Sequence, residues 1–213
     1  MGNKNINPNK KVIESKKIYK KLYIKIHDYR VFDSEIIQEI ESTKYRNIGF
    51  DINWNSNDYE YSILMFAVLA NREELVRYLL TIPDININYK TPNDVTVTAL
   101  YIVCIHTYNI NIFKLLLTRR DLDVNIQDNY GRTGLHYACY NNSIECAREL
   151  LFDARVNIMI HSKWRKTARD FAIYYGHPRI ANIIKRVQYT SLLRIPNSML
   201  IHDIIRMIIE EYT

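Results

Sequence analysis

Apolar residues recur at helical spacing in four stretches of the chain, and a polar turn divides each stretch in two. In the second part of the first stretch, from Leu75 to Leu80, apolar residues follow the i, i+3, i+4 pattern of a helix with one buried face. The stretches open at polar residues suited to cap a helix N-terminus, which are Ser62, Thr98, Thr133 and Thr167. These residues are 36, 35 and 34 residues apart, and such a period indicates an array of helical repeats rather than one irregular globule.

The four units share one internal order. A short apolar helix is followed by a polar turn, a second amphipathic helix and an extended closing segment such as Asp123-Val124-Asn125. A small or slender residue at the sixth position lets helices approach closely, and it is Ala67, Val103, Ala138 or Ala172. The predicted units are 62–97, 98–132, 133–166 and 167–189.

Segments on both sides extend this array. Residues 32–61 contain a short helical pattern and then Asp51-Ile52-Asn53, which matches the closing segment of later units. We therefore predict a degenerate N-terminal unit whose first helix covers residues 16–27. Residues 1–31 would form a basic extension or capping helix, and residues 190–213 a C-terminal helix.

The third unit matches a known repeat best. Its stretch DNYGRTGLHYA, residues 128–138, resembles the ankyrin repeat, which has two antiparallel helices and a β-hairpin loop. It departs from the family pattern at Gly134, where Pro is usual, and the fourth unit has Arg165 where the hairpin Gly is expected. The resemblance covers residues 50 to 188 and implies an all-α ankyrin-repeat solenoid of about four units, with the degenerate unit and the C-terminal helix at its ends.

Composition and charge narrow the class of protein. The chain has 213 residues, of which 47% are hydrophobic and 24% charged, as is typical of a soluble folded protein. The net charge of +6 is concentrated at the N-terminus, where residues 1–30 carry nine Lys or Arg and two acidic residues. Contact with nucleic acid or an anionic membrane is therefore expected only through residues 1–30.

The start of the chain and its residue usage suggest a compartment and a source. The first residues are polar and contain no apolar leader, which favours a cytoplasmic, and also a nuclear, location. Frequent Ile, Asn, Lys and Tyr are typical of an AT-rich genome, and with a short array they favour a large DNA virus, such as a poxvirus or a giant virus.

The reactive residue types in the third unit are predicted to be structural. His136 lies where the ankyrin family uses a His to link neighbouring hairpins, and Cys139 and Cys146 occupy helix positions that face the core. The chain contains no C-x-x-C pair, no phosphate-binding Gly loop and no H-E-x-x-H motif. We predict a protein that is not an enzyme and that needs no metal, cofactor or small-molecule substrate.

The resemblance also implies which residues bind. Ankyrin arrays usually meet a partner at the hairpin tips and at the exposed end of each first helix, and here these positions are rich in Tyr, with Trp and Arg. Such residues carry much of the binding energy at interfaces. We predict a protein–protein interaction scaffold whose partner, a host protein if the source is a virus, contacts Tyr59, Tyr61, His106, Tyr108, Tyr130, Arg132, Tyr140, Trp164, Lys166, Tyr174 and Tyr175. The alternative is that a chain with 17 Tyr places this residue everywhere.

Two further functions stay open. The tail resembles the first helix of an F-box, which would make the protein an adaptor that brings a bound protein to a cullin ubiquitin ligase. The candidate ligase-binding residues are Pro196, Leu200, Ile204 and Ile208. A simpler interpretation is a C-terminal cap packed against the end of the array. The second function is tethering, because KKIYKKLYIKI, residues 16–26, could lie on an anionic membrane as a basic amphipathic helix or contact nucleic acid.

Overall fold

The repeat pattern folds into helical pairs in the computed structural model of the chain. The structure describes residues 8–45, 51–53, 60–92, 96–106 and 109–192, and within these ranges it contains ten helices and no strands. The first helices of the pairs are α1 (Pro8–His27), α3 (Ile63–Leu69), α5 (Ala99–Ile105), α7 (Gly134–Tyr140) and α9 (Ala168–Tyr174). The second helices are α2 (Asp33–Tyr45), α4 (Glu73–Leu80), α6 (Ile110–Leu117), α8 (Ile144–Phe152) and α10 (Pro178–Leu192).

The pairs stack side by side in two layers. Each first helix packs against the next first helix from α1 to α9, and the second helices do the same from α2 to α8, with α10 packed on α8 and α9. One continuous apolar core runs between the layers. The expected all-α solenoid is therefore confirmed.

The N-terminal pair continues this stack. Helix α1 begins at Pro8 and is longer than the predicted 16–27. Its apolar stripe, Tyr19, Leu22 and Ile26, is at most 1% exposed and belongs to the core. The face that a membrane-bound amphipathic helix would insert is thus already buried in the protein. Within the described ranges, no helix has both the length and the apolar character to cross a bilayer.

Arg72 joins the N-terminal pair to the rest of the solenoid. Its guanidinium donates hydrogen bonds to the backbone oxygens of Ile26, Asp28 and Val31, at 3.0, 2.6 and 2.7 Å. It also pairs with the carboxylate of Asp33 at 3.1 Å. Arginine at this place satisfies carbonyl groups that the end of α1 leaves without helical partners.

Asparagine side chains connect the closing segments of successive units. Asn88 donates from Nδ2 to the oxygen of Asp121 at 2.6 Å and accepts at Oδ1 from the N–H of Asp123 at 2.8 Å. Asn53 and Asn125 make the same pair of bonds to the unit that follows each of them. The spacing between units is therefore fixed by asparagines that end a D-x-N pattern at residues 53 and 125 and an N-x-N pattern at residue 88.

Candidate protein-binding surface

The hairpin before α7, residues 128–132, is called the third hairpin, and the one before α9, residues 162–166, the fourth. The third hairpin is built around the buried carboxylate of Asp128. One oxygen accepts the N–H groups of Tyr130 and Arg132 at 2.8 and 2.7 Å. The other accepts the Arg132 side chain at 2.7 Å and the hydroxyl of Tyr137 at 2.8 Å. Burial and this bond to a carboxylate raise the pKa of Tyr137. Four donors on one 6% exposed residue hold the hairpin rigidly, so Tyr130 and Arg132 are presented in fixed positions.

His136 fixes the next hairpin relative to this one. Its Nδ1 accepts the N–H of Thr133 at 3.1 Å, so the proton lies on Nε2, which donates to the backbone oxygen of Lys166 at 3.2 Å. The ring is buried, and burial lowers its pKa. The predicted linking role of His136 is confirmed by these bonds.

The two hairpins share a left-handed backbone position. Gly131 has φ +74°, and a Cβ there would lie 3.1 Å from the backbone nitrogen of Lys163 in the next hairpin. Arg165 occupies the equivalent position with φ +56°, so the fourth hairpin keeps the same turn without glycine. The departure noted at Arg165 therefore changes the side chain on the tip and not the turn.

Aromatic and cationic groups stack across the two tips. The rings of Tyr130 and Trp164 lie 5.6 Å apart with an interplanar angle of 12°. The backbone oxygen of Tyr130 accepts the N–H of Lys163 at 2.8 Å, which holds the two tips together. The Arg132 guanidinium lies 4.8 Å from the ring centres of both Tyr130 and Tyr137.

A second aromatic group stands at the other end of α7 and α9. Tyr175 contacts Tyr140 and Tyr174 edge to face, with ring centres 4.6 and 5.0 Å apart. Phe171 lies between this group and Trp164, with ring centres 6.1 Å from Tyr175 and 6.4 Å from Trp164. One aromatic surface thus runs from the hairpin tips to the ends of the helices.

A groove of about 530 Å³ opens along this surface, and we call it the aromatic groove. Its apolar lining consists of Trp164, Phe171, Ile173, Tyr174 and Tyr175, and its polar lining of Arg132, Lys166 and Asp170. Trp164 is 55% exposed and Tyr174 is 81% exposed, so large apolar areas face solvent. Concave apolar surfaces with a few polar groups are common binding sites.

Charge is unevenly distributed around the aromatic groove. Among the described residues that line it, Asp170 is the one carboxylate, and that group already accepts the N–H and the hydroxyl of Thr167, each at 2.9 Å. Burial opposes ionisation, but these bonds prevail and lower the pKa of Asp170. Arg132 is paired with Asp128. Lys166 makes no ion pair with any residue that the structure describes.

Seven of the predicted binding residues come together on this surface: Tyr130, Arg132, Tyr140, Trp164, Lys166, Tyr174 and Tyr175. Two others do not. Tyr61 packs against Phe66 with ring centres 5.6 Å apart, and its backbone oxygen accepts the hydroxyl of Tyr19. His106 lines a separate small cleft beside Asn71 and Asn109.

Several predicted residues lie outside the described ranges. Tyr59 and Tyr108 are two of them. The tail residues Pro196, Leu200, Ile204 and Ile208 are the others, so the F-box and cap interpretations both stay predictions.

The sequence did not identify Asp170, Phe171 and Ile173 as lining residues. In the repeat, Ile173 is equivalent to Val68, Cys104 and Cys139, which are 7%, 0% and 0% exposed, whereas Ile173 is 54% exposed. Among the described helices, α9 has a first-layer neighbour, α7, on one side only. The useful signal would have been the place of Ile173 in the last helical pair and not its residue type.

The cysteines are buried within the core. Cys104, Cys139 and Cys146 are unpaired, and burial raises the pKa of all three thiols, that of Cys146 to about 12. A protonated thiol is a poor nucleophile. Burial and a protonated thiol agree with the structural role expected for Cys139 and Cys146.

Comparison with known proteins identifies relatives of this fold. The family model described as ankyrin repeats in three copies matches residues 64–162 and, in an overlapping match, residues 100–190. An ankyrin repeat protein of Acanthamoeba polyphaga mimivirus is 29% identical over 182 residues, covering 74% of this chain and 23% of that protein. The chain therefore spans about a quarter of the length of the curated relative it matches.

Proposed function

The chain belongs to the ankyrin-repeat family, and from this premise we propose that it binds a partner protein through the aromatic groove and the adjoining hairpin tips. Ankyrin repeats are in general protein–protein interaction modules and not enzymes. Here the last two helical pairs, α7 with α8 and α9 with α10, provide the binding surface, and the three pairs before them support it.

The exposure of the aromatic rings carries this proposal. Trp164 is stacked on Tyr130, and Tyr174 packs edge to face on Tyr175, so each ring is held in place although much of its area faces solvent. Rigid aromatic side chains lose little entropy on binding and are frequent anchors of interfaces. Exposed apolar area that is fixed in one geometry is therefore best explained by a partner that covers it.

The proposal is tested by affinity purification with mass spectrometry from candidate host cells. The full chain is compared with a Trp164→Ala, Tyr174→Ala variant and with a matched control, Tyr29→Ala, Phe32→Ala. Tyr29 and Phe32 are 90% and 72% exposed but belong to the N-terminal pair. We expect a prey that the groove variant loses and the control keeps. Equal recovery with both variants would contradict the proposal.

The nature of the partner is part of the proposal. Because the relative is a protein of a giant virus, we propose a viral source and a host protein as partner. We also propose a cytoplasmic or nuclear location for the complex, as the polar start of the chain suggested.

The ligase alternative is tested separately, by shortening the chain. Helix α10 ends at Leu192, so a chain ending there retains every described helix. If cullin-ligase components copurify with the full chain and are lost from this shortened chain while the prey is retained, the tail is a ligase-binding segment.

The tethering alternative now rests on the lysines of α1 and on its exposed apolar residues Val12, Ile13 and Ile24. Lys16, Lys17 and Lys20 are exposed on α1, whereas its apolar stripe is in the core. Replacing these three lysines by Gln would abolish sedimentation with anionic vesicles if they form a tether.

A further inference from the structure

The apolar and charged groups of the aromatic groove lie at different ends. Ile173, Tyr174 and Tyr175, at the end of α9, provide exposed apolar area. Lys166, just before the start of α9, provides a positive charge that forms no ion pair with a described residue, although it contributes to lowering the pKa of nearby Asp170. Trp164 stands beside Lys166 at this charged end.

The excess of positive charge continues along the fourth hairpin. Lys163 and Arg165 are exposed on the same tip and make no ion pair with any residue in the described ranges. The left-handed position of the turn is Gly131 in the third hairpin, whereas in the fourth it is Arg165, which adds a cationic side chain. The segment KWRKTARD, residues 163–170, thus contains four cations and one carboxylate, and that carboxylate is bonded to Thr167.

We propose that the aromatic groove receives a linear segment of the partner in which a bulky apolar side chain is flanked by carboxylates. The apolar side chain lies against Trp164, Ile173 and Tyr174, and the carboxylates lie at Lys166, Lys163 and Arg165. This inference rests on the proposed function and names the chemistry of its partner. Charge complementarity of this kind selects partners and raises their rate of association.

Aromatic rings with cations also suit single-stranded nucleic acid, whose bases stack on such rings. The groove favours a peptide because most of its lining is apolar, with Phe171 and Ile173 beside the exposed rings, and a bulky apolar side chain matches this lining better than a phosphate backbone does. Nucleic acid is therefore an outcome to be tested and not the proposal.

The test is selection of a phage-displayed library of random linear peptides on the full chain. Enriched peptides are synthesised, and their affinity is measured by fluorescence anisotropy at low and high salt. We expect peptides with one Leu, Met, Phe or Trp beside Asp or Glu. We expect Trp164→Ala to weaken binding by about 30-fold. Lys166→Glu should weaken it about fivefold and reduce its salt dependence.

Charge reversal supplies the control. Lys20→Glu makes the same change on the exposed face of α1, away from the groove, and should leave affinity unchanged. A peptide whose Asp or Glu is replaced by Lys should bind Lys166→Glu better than the original chain.

The outcomes separate the inference from the proposed function. Peptides that require Trp164 but show no excess of carboxylates would overturn the inference and leave protein binding intact. Failure of both the peptide selection and the host-cell purification to give any Trp164-dependent ligand would overturn both. Tight, Trp164-dependent binding of a mixed-sequence single-stranded oligonucleotide would replace the peptide by a nucleic acid. Peptide binding that appears only in the chain ending at Leu192 would assign the groove to residues 193–213 and not to a partner.

Discussion

The two ends of the solenoid use aromatic residues in opposite ways. In the N-terminal half, Tyr19, Tyr23 and Tyr61 surround Phe66 and join α1 to α3. In the C-terminal half, Trp164 and Tyr174 face solvent although neighbouring rings hold them in place. The tyrosines around Phe66 therefore join units together and those of the groove form a surface, although the N-terminal pair also exposes Tyr29 and Phe32, and the frequency of tyrosine in the chain does not distinguish the two uses.

The comparison suggests that the N-terminal end serves stability and the C-terminal end serves recognition. If so, substitutions at the two ends should separate these properties.

The largest loss of stability is expected from Arg72→Met. The substitution removes the donor to four backbone oxygens and to Asp33, and it leaves the end of α1 without these partners. We expect the free energy of unfolding to fall by about 3–4 kcal/mol, measured with urea. Arg77→Met is the control, because Arg77 forms an exposed ion pair with Glu73 and its loss should leave the free energy of unfolding nearly unchanged. Equal effects of the two substitutions would contradict the role of Arg72.

Asp128→Ala should reduce both the stability of the fold and the binding of peptides. It removes the acceptor of four hydrogen bonds in the third hairpin, so we expect a loss of about 2–3 kcal/mol in urea unfolding. Because Tyr130 and Arg132 lose their support, peptide binding at the aromatic groove should also fall, as anisotropy would show. Asp84→Ala, an exposed change at the other end of the array, should alter neither. A stable Asp128→Ala variant with normal binding would show that the hairpin does not position the groove.

A smaller loss of stability, which depends on pH, is expected because protonation of His136 favours the unfolded chain. Its pKa is lowered in the folded chain by burial, so the unfolded chain binds the proton more tightly. The free energy of unfolding should be highest above the unfolded pKa of about 6.5 and decrease as the pH falls toward the lower folded value. Urea titrations across this range measure the slope. His136→Gln should be less stable at neutral pH and should lose most of the slope, and an unchanged slope would assign it to another group.

The smallest effects concern the left-handed turns. Gly176 has φ +75°, and a Cβ at this residue would meet no other atom within 4 Å, so Gly176→Ala tests backbone strain alone and should cost about 1 kcal/mol. Arg165→Gly should relieve strain at φ +56° and stabilise the fold by about 0.5 kcal/mol. It should also weaken binding of acidic peptides. Thermal unfolding measures the stability of both variants. If Arg165→Gly gains stability without losing affinity for acidic peptides, Arg165 does not belong to the recognition surface.

The sequence predicted the repeat well because local patterns determine it. The N-cap residues Ser62 and Thr98 accept the expected bonds from Met65 and Tyr101, and His136 links hairpins as expected. These features depend on a few residues close in sequence, with a period that four units repeat.

The surface was less predictable because it depends on which units are neighbours. Ile173 occupies the repeat position of Cys139, but one is exposed and the other buried. Tyr61 matched the pattern of a tip residue, yet it packs against Phe66 because α1 lies beside it. No local pattern contains this information, since the same residue changes its role with the presence of the next helix.

The most direct test of the account is calorimetric affinity of the captured partner for three forms of the full chain. These are the original chain, Trp164→Ala with Tyr174→Ala, and the control Tyr29→Ala with Phe32→Ala. We predict that the groove variant loses at least about 30-fold in affinity while the control binds normally and both unfold as the original chain does. A loss of affinity in the control, or none in the groove variant, would place recognition elsewhere on the solenoid.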